Sequence, residues 1–224
     1  MKTTVLGLIF LFMSETYSQT AEYSYLALGD SYTIGEQVEL EKSWPYQLKN
    51  YLNKRGFHIE NPKIIAVTGW RTDELLETLD SEEIKENSYD MVSLLIGVNN
   101  QYQDKPISQY EAEFETLLQK AIQSSKNDEK SVFVVGIPDY SESAYAKEKN
   151  LTGITEKLTE YNAIAKRICQ KYDVPFYGIQ EMSKPLHQSE KMLAPDALHP
   201  SALQYEKWLE TFQEGVKSQL EKAL

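Results

Sequence analysis

The sequence predicts an α/β fold with three layers, in which helices cover both faces of a mostly parallel sheet. Two observations favour this class. Short apolar runs alternate with longer helical patterns, and the runs Tyr89–Ile96 and Ser131–Ile137 are largely apolar with little alternation. Such runs are typical of parallel strands buried on both faces, and their alternation with helices implies right-handed crossovers. The 224 residues contain no internal repeat or Pro/Gly-rich linker, which predicts a single domain.

The predicted strands and helices have recognisable ends. In chain order the strands are Tyr23–Leu28, Lys63–Val67, Tyr89–Ile96, Ser131–Ile137 and a short candidate, Val174–Tyr177. Ser43 and Pro45 indicate a helix start, and Gly56 indicates its end. Apolar side chains that recur every three or four residues predict three more helices. These stripes are Tyr110, Phe114, Leu117, Leu118, Ala121 and Ile122; Leu158, Tyr161, Ala165 and Ile168; and Trp208, Phe212, Val216 and Leu220.

Composition excludes several classes of function. The chain carries 23 Lys and Arg against 34 Asp and Glu, a net charge of −11, which argues against nucleic acid as a partner. Its single cysteine, Cys169, can form neither an internal disulfide nor a Cys-rich zinc site. No nucleotide-binding or zinc-binding sequence motif is present, so we expect neither a metal nor a cofactor.

The first residues have the pattern of a secretory signal peptide. A positive charge at Lys2 precedes nine residues, 5–13, that are apolar apart from one glycine, and a mostly polar stretch follows. A bilayer span needs roughly 20 apolar residues. We therefore expect a signal peptide over residues 1–18 and a domain over 19–224, the alternative being an N-terminal strand or helix. The mature protein is then expected to be secreted or periplasmic, monomeric and without a stable membrane anchor.

Three segments carry side chains suited to chemistry. Ligands of open α/β sheets bind outside the carboxyl ends of the strands. Residues 29–32 (GDSY) follow the first predicted strand, and residues 97–100 (GVNN) follow the third. Residues 196–200 (DALHP) lie in a loop before the last helix. Taken alone, these segments are equally compatible with a helix cap, a turn and a surface ion pair.

Together, the three segments predict acyl transfer. Asp196 lies three residues before His199 and can accept a hydrogen bond from its Nδ1–H, which leaves Nε2 free to act as a base. Ser31 can supply the nucleophile at a strand-to-helix turn. The amide of Asn99 can donate a hydrogen bond to the oxyanion that forms.

The segments resemble the sequence blocks of the GDSL/SGNH hydrolases, named for Ser, Gly, Asn and His. The matching residues are Ala27–Glu36, Ala66–Leu75, Leu95–Tyr102 and Asp196–Ser201, in family order. The resemblance implies a flavodoxin-like sheet of five parallel strands in the order 2-1-3-4-5, and serine-dependent ester hydrolysis without a metal. It assigns Ser31 as nucleophile, Asp196 and His199 as the other triad members, and the Ser31 and Gly69 amides with the Asn99 side chain as oxyanion hole. Two positions depart from the family: Tyr32 replaces a leucine, and Asn100 replaces a frequent aspartate.

Five residues are candidates for substrate contact. They are Tyr32, Trp70, Arg71, Tyr102 and Tyr140, although an ion pair with Asp73 or Glu74 at a helix start is the favoured role for Arg71. We expect a carboxylesterase that acts on a small-molecule ester, a lipid or an acylated glycan. Lysophospholipase, thioesterase and carbohydrate O-acetylesterase activities remain alternatives on the same site. A non-catalytic binding module on the hydrolase fold is the alternative from another class.

Overall fold

The sheet has the predicted topology. The computed structural model describes residues 22–81, 84 and 86–224, and the predicted signal peptide at 1–18 lies outside them. Five parallel strands pair in the order β2-β1-β3-β4-β5. They are β1 (Tyr25–Asp30), β2 (Lys63–Val67), β3 (Met91–Leu95), β4 (Val132–Val135) and β5 (Phe176–Tyr177). The α/β class and the strand order expected from the sequence are thereby confirmed.

Helices cover both faces of this sheet. On one face α2 (Trp44–Asn53) packs against α9 (Ala202–Ala223). On the other, α5 (Ile107–Ser124) packs against both α3 (Thr72–Ser81) and α7 (Ile154–Lys171). Shorter helices occupy the loops: α1 (Ser31–Ile34), α4 (Val98–Tyr102), α6 (Ala144–Glu148) and α8 (Gln180–Leu186). Within the described residues, none of the helices has the length and apolar character needed to span a membrane.

The core is built from the positions that periodicity indicates. Strands β1, β3 and β4 are buried along their whole length, which explains why they lack polar alternation. Members of the three predicted helical stripes are buried, except for Ile122, which is half-buried. Trp44 of α2 packs edge-on against Phe133 of β4 and Phe212 of α9. These ring contacts join α2, α9 and the sheet in one packed core.

Element ends differ from the sequence prediction. Strand β1 begins two residues later than expected and continues through Gly29 to Asp30. Ser43 does lie at the N-cap of α2, but its hydroxyl donates to the Leu40 carbonyl (2.7 Å) and makes no cap bond to the helix. The preceding 3-10 turn, Leu40–Lys42, supplies this competing acceptor. Periodicity did not predict α6 and α8, because helices this short present less than a full stripe.

Candidate active site

The sheet order brings three loops together at one edge. Ser31 directly follows β1, Gly69 follows β2 and Asn99 follows β3, and these three strands are neighbours in the order β2-β1-β3. The chain leaves β1 for β2 on one side and reaches β3 on the other. Ligand clefts of open α/β sheets form at such a switch point. The topology therefore places these three residues around a common cleft.

The turn that presents Ser31 is sharp and closely packed. Ser31 is the first residue of α1, and the buried carboxylate of Asp30 caps this helix by accepting the Tyr32 amide (3.0 Å). A Cβ on Gly29 would lie 2.1 Å from the Thr33 hydroxyl and 2.4 Å from the Leu95 carbonyl oxygen, so only glycine fits there. Burial raises the pKa of Asp30 to about 7, against the opposing effect of backbone hydrogen bonds.

A tight loop orients Asp196 towards His199. One carboxylate oxygen of Asp196 accepts the backbone amides of Leu198 (3.0 Å) and His199 (2.9 Å). The other oxygen lies 2.6 Å from His199 Nδ1. Burial works to raise the pKa of Asp196, but the hydrogen bonds from the His199 ring and the two amides hold it below its usual value. Asp196 is therefore an anion at neutral pH, suited to stabilise a protonated imidazole.

The imidazole of His199 connects this carboxylate to the serine. Its Nε2 lies 2.9 Å from the Ser31 Oγ, across 168 positions of sequence. With the Nδ1 proton donated to Asp196, Nε2 can accept the serine proton. Asp196, His199 and Ser31 thus form one continuous hydrogen-bonded chain, which is the arrangement of a nucleophile, a base and an orienting acid.

Two further residues face the same pocket with hydrogen-bond donors. Gly69 adopts a φ of +85°, a left-handed conformation that favours glycine. The Nδ2 of Asn99 donates one hydrogen bond to the Trp70 carbonyl (2.9 Å). An amide nitrogen carries two hydrogens, so this bond fixes the side chain and leaves one donor for a ligand. Both residues line the same pocket as Ser31.

The two departures from the family pattern have structural roles. Tyr32 is buried and packs edge-on against the rings of His199 (5.7 Å between centroids) and Trp208 (5.9 Å). Buried Asn100 donates to the Thr72 hydroxyl (2.7 Å) and accepts the Thr72 amide (3.1 Å). An ionised aspartate could only accept hydrogen bonds. Because the Thr72 hydroxyl donates its only hydrogen to Glu113, asparagine can donate to its oxygen, whereas an aspartate would compete with Glu113 for that hydrogen.

A cavity of about 140 Å³ lies over Ser31 and His199. Of the predicted substrate-contact residues, Tyr32, Tyr102 and Tyr140 line it, and so do the predicted oxyanion residues Gly69 and Asn99. Four other residues, which were not predicted from the sequence, also line it: Thr68, Val98, Tyr145 and Leu198. Three of these adjoin residues that were identified, so proximity to a motif could have found them. Tyr145 lies on the short helix α6, which no sequence pattern predicts.

Two predicted substrate contacts lie outside the lining of this cavity. Arg71 forms ion pairs with Asp73 (2.9 Å) and Glu74 (3.3 Å), the alternative role considered for it. Trp70 packs against the core through its ring and holds Asn99 through its carbonyl. Neither residue therefore contacts the cavity directly.

Other reactive groups lie away from the site. Among the described residues, His, Cys, Asp and Glu side chains form no group of three that could hold a metal ion. Cys169 is free and buried in the core, and burial raises the pKa of its thiol to about 12. Neither observation adds a second reactive centre.

The fold is shared with solved structures of hydrolases. The chain is similar to TesA (TM-score 0.68, 16% identity, covering 90% of this chain and 99% of that one). It is also similar to the esterase EstA from Pseudoalteromonas sp. (TM-score 0.66, 14% identity, covering 89% of this chain and 99% of that one). A third similar structure is Axe2, an acetylxylan esterase from Geobacillus stearothermophilus (TM-score 0.65, 17% identity, covering 87% of this chain and 94% of that one). At these identities the likeness concerns the fold.

The sequence itself identifies the family. The model of the GDSL-like lipase/acylhydrolase family matches residues 27–207, and the chain belongs to that family. It is therefore a GDSL-type hydrolase of ester bonds. A comparison with curated proteins finds no match.

Proposed function

We propose that the protein is a serine esterase that hydrolyses small carboxylic esters through an acyl-enzyme. The observation that carries this proposal is the continuous hydrogen-bonded chain from Asp196 through His199 to Ser31. Ser31 and His199 line a cavity that Gly69 and Asn99 also line, and such a combination suits acyl transfer.

In the first half of the reaction Ser31 attacks the ester carbonyl while His199 Nε2 takes its proton. The negative charge that develops on the carbonyl oxygen is stabilised by the backbone amides of Ser31 and Gly69 and by the Asn99 amide. Asp196 stabilises the imidazolium of His199, which then donates its proton to the leaving alcohol. The product of this half-reaction is an ester between the acyl group and Ser31.

In the second half water takes the place of the alcohol. His199 removes a proton from the water, whose oxygen attacks the acyl-enzyme, and the same donors stabilise the second oxyanion. Collapse of this intermediate releases the carboxylic acid and returns the proton to Ser31. The enzyme ends in its starting state, so no cofactor is consumed.

The size of the cavity supports a short acyl group. A volume of about 140 Å³ is comparable to an engineered protein cavity of roughly 150 Å³ that holds benzene. Small acyl esters are therefore the favoured substrates. Acetylated glycans meet this restriction on the acyl side.

Steady-state hydrolysis of p-nitrophenyl acetate tests the proposal. Ser31→Ala should abolish activity and leave the circular dichroism spectrum unchanged, because Ser31 is small and its loss opens no large void. Ser189→Ala, which removes an exposed hydroxyl outside the cavity, is the matched control and should retain full activity. Full activity in Ser31→Ala would refute the assignment. Absence of activity from the unmodified protein towards a panel of esters would instead favour a non-catalytic binding module.

We also propose that residues 1–18 are removed on export and that the mature protein is a soluble monomer. The apolar run at residues 5–13, preceded by Lys2, supports the first part. Intact mass of the exported protein would locate its N-terminus, and light scattering would give its oligomeric state. A retained leader would contradict the first part, and a stable dimer the second.

A further inference from the structure

Two cavities meet at one wall of the candidate active site. The first, of about 140 Å³, contains Ser31 and His199. The second, of about 380 Å³, has a lining that includes Gln101, Asp104, Leu151, Thr152, Ile154 and Lys157. The side chains of Tyr102 and Tyr140 line both cavities. These two tyrosines therefore separate the site of chemistry from a larger adjoining space.

The two tyrosines are held in different ways. Tyr140 is only 2% exposed, and its hydroxyl donates to the buried Gln101 (2.9 Å), so its ring is fixed. Tyr102 is 48% exposed, and its hydroxyl lies 2.6 Å from that of Tyr145. The position of Tyr102 therefore depends on a polar contact at the tip of its ring, whereas that of Tyr140 depends on packing.

Tyr145 connects this contact to the loop that carries Asp196 and His199. Its backbone amide donates to the carbonyl of Ala197 (3.2 Å), the residue after Asp196. The hydrogen bond with Tyr102, followed by burial, raises the pKa of the Tyr145 hydroxyl, which stays protonated at neutral pH. The Tyr102–Tyr145 pair thus connects α4, which carries Asn99, to the loop that carries His199.

The chemistry directs the acyl group towards this wall. The leaving oxygen must lie close to His199 Nε2, because that atom protonates it. The oxyanion must face Gly69 and Asn99. The acyl chain is the remaining substituent of the tetrahedral carbon, and the wall of Tyr102 and Tyr140 is the side of the cavity that has a further space beyond it.

We propose that the Tyr102–Tyr145 pair limits the acyl group to a short chain, and that the second cavity is the space a longer chain enters when the pair is removed. This inference rests on the proposed esterase function and specifies its acyl selectivity. The pair acts as a fixed stop: a short chain ends against the ring of Tyr102, whereas a longer one collides with it.

Chain-length profiles test the stop directly. kcat/KM would be measured on p-nitrophenyl acetate, butyrate, hexanoate and octanoate for the unmodified protein, Tyr102→Ala and Tyr145→Phe. Tyr172→Phe is the control, since it removes a hydroxyl bonded to Glu115 (2.7 Å) outside both cavities. Because Tyr102 is half-exposed at the end of a short helix, its truncation should leave the fold intact, as circular dichroism would verify.

The expected result is a change in the ratio of octanoate to acetate activity. In the unmodified protein activity should fall beyond butyrate. Each additional buried methylene favours binding about fourfold, so Tyr102→Ala should raise the ratio by at least about tenfold. Tyr145→Phe should raise it less, and Tyr172→Phe should not change it. An unchanged ratio in Tyr102→Ala would overturn the proposal.

A binding measurement separates this inference from the proposed function. Calorimetric titration with acetate, butyrate and octanoate needs no turnover. If Tyr102→Ala binds octanoate at least about tenfold more tightly than the unmodified protein, the stop is supported even where no ester is hydrolysed. Equal octanoate affinity in the two proteins would overturn the stop even where short esters are hydrolysed.

Discussion

Replacing Asp30 by asparagine should remove a loss of stability that the fold otherwise shows as the pH rises from about 4 to about 7. The carboxyl of Asp30 is completely buried at the start of α1, where it accepts the Tyr32 amide. Burial raises its pKa from 3.8 to about 7. Asparagine keeps an oxygen for the Tyr32 amide and carries no titratable proton, so it preserves the cap while abolishing the ionisation.

The direction in which stability changes with pH follows from the pKa of Asp30 in the folded and unfolded states. Between pH 4 and 7 the folded protein holds a proton on Asp30 that the unfolded chain has released. The contribution of Asp30 to stability is therefore fully present below about pH 4 and is lost progressively as the pH rises from about 4 to about 7. The difference between the two values corresponds to a total of about 4 kcal/mol, of which about 2 kcal/mol is lost between pH 5.5 and pH 8.

Urea unfolding at pH 5.5 and pH 8 provides the assay. The unmodified protein should lose about 2 kcal/mol more of its unfolding free energy between these values than Asp30→Asn does. Since only the difference between the two pH values matters, a uniform effect of the substitution cancels. Asp173→Asn changes an exposed carboxylate at a positive φ that asparagine tolerates, and it should behave like the unmodified protein. Parallel pH profiles for Asp30→Asn and the unmodified protein would refute the reasoning.

Three other substitutions have defined outcomes. Asn99→Ala removes one oxyanion donor and should lower kcat on p-nitrophenyl acetate by about 10²–10³-fold with little change in KM; an unchanged kcat would remove Asn99 from the mechanism. Asp196→Asn should lower kcat by about 10⁴-fold, the loss known for the same change in another serine hydrolase, because His199 is then held in the wrong tautomer; rates near normal would contradict this role. Asn100→Asp loses the bond to the Thr72 hydroxyl and should cost about 1–3 kcal/mol of unfolding free energy; equal urea midpoints would contradict it.

The parts of the site that were predictable are encoded locally. Asp196 and His199 are close in sequence, and the loop that joins them needs few long-range contacts to orient them. Ser31 follows an apolar strand at a turn that requires glycine at position 29. In each case a short segment contains both the functional side chain and the backbone features that position it, so the sequence alone indicates the geometry.

The parts that were not predictable depend on contacts between distant segments. Tyr145 enters the cavity because α6 docks on the Asp196–His199 loop, and no pattern within α6 encodes that docking. The hydroxyl of Ser43 bonds to Leu40 because a 3-10 turn precedes it, which outweighs its preference as a helix cap. In both places tertiary or neighbouring structure determines which partner a side chain finds.

Mass spectrometry after reaction with a fluorophosphonate tests the central claim, that Ser31 is a nucleophile activated by His199. The unmodified protein should gain one adduct, located by proteolysis on the peptide that contains Ser31. Ser31→Ala should gain none, and His199→Ala should react far more slowly because the serine then has no base. Labelling of Ser31→Ala at the rate of the unmodified protein, or an adduct on another residue, would contradict the account.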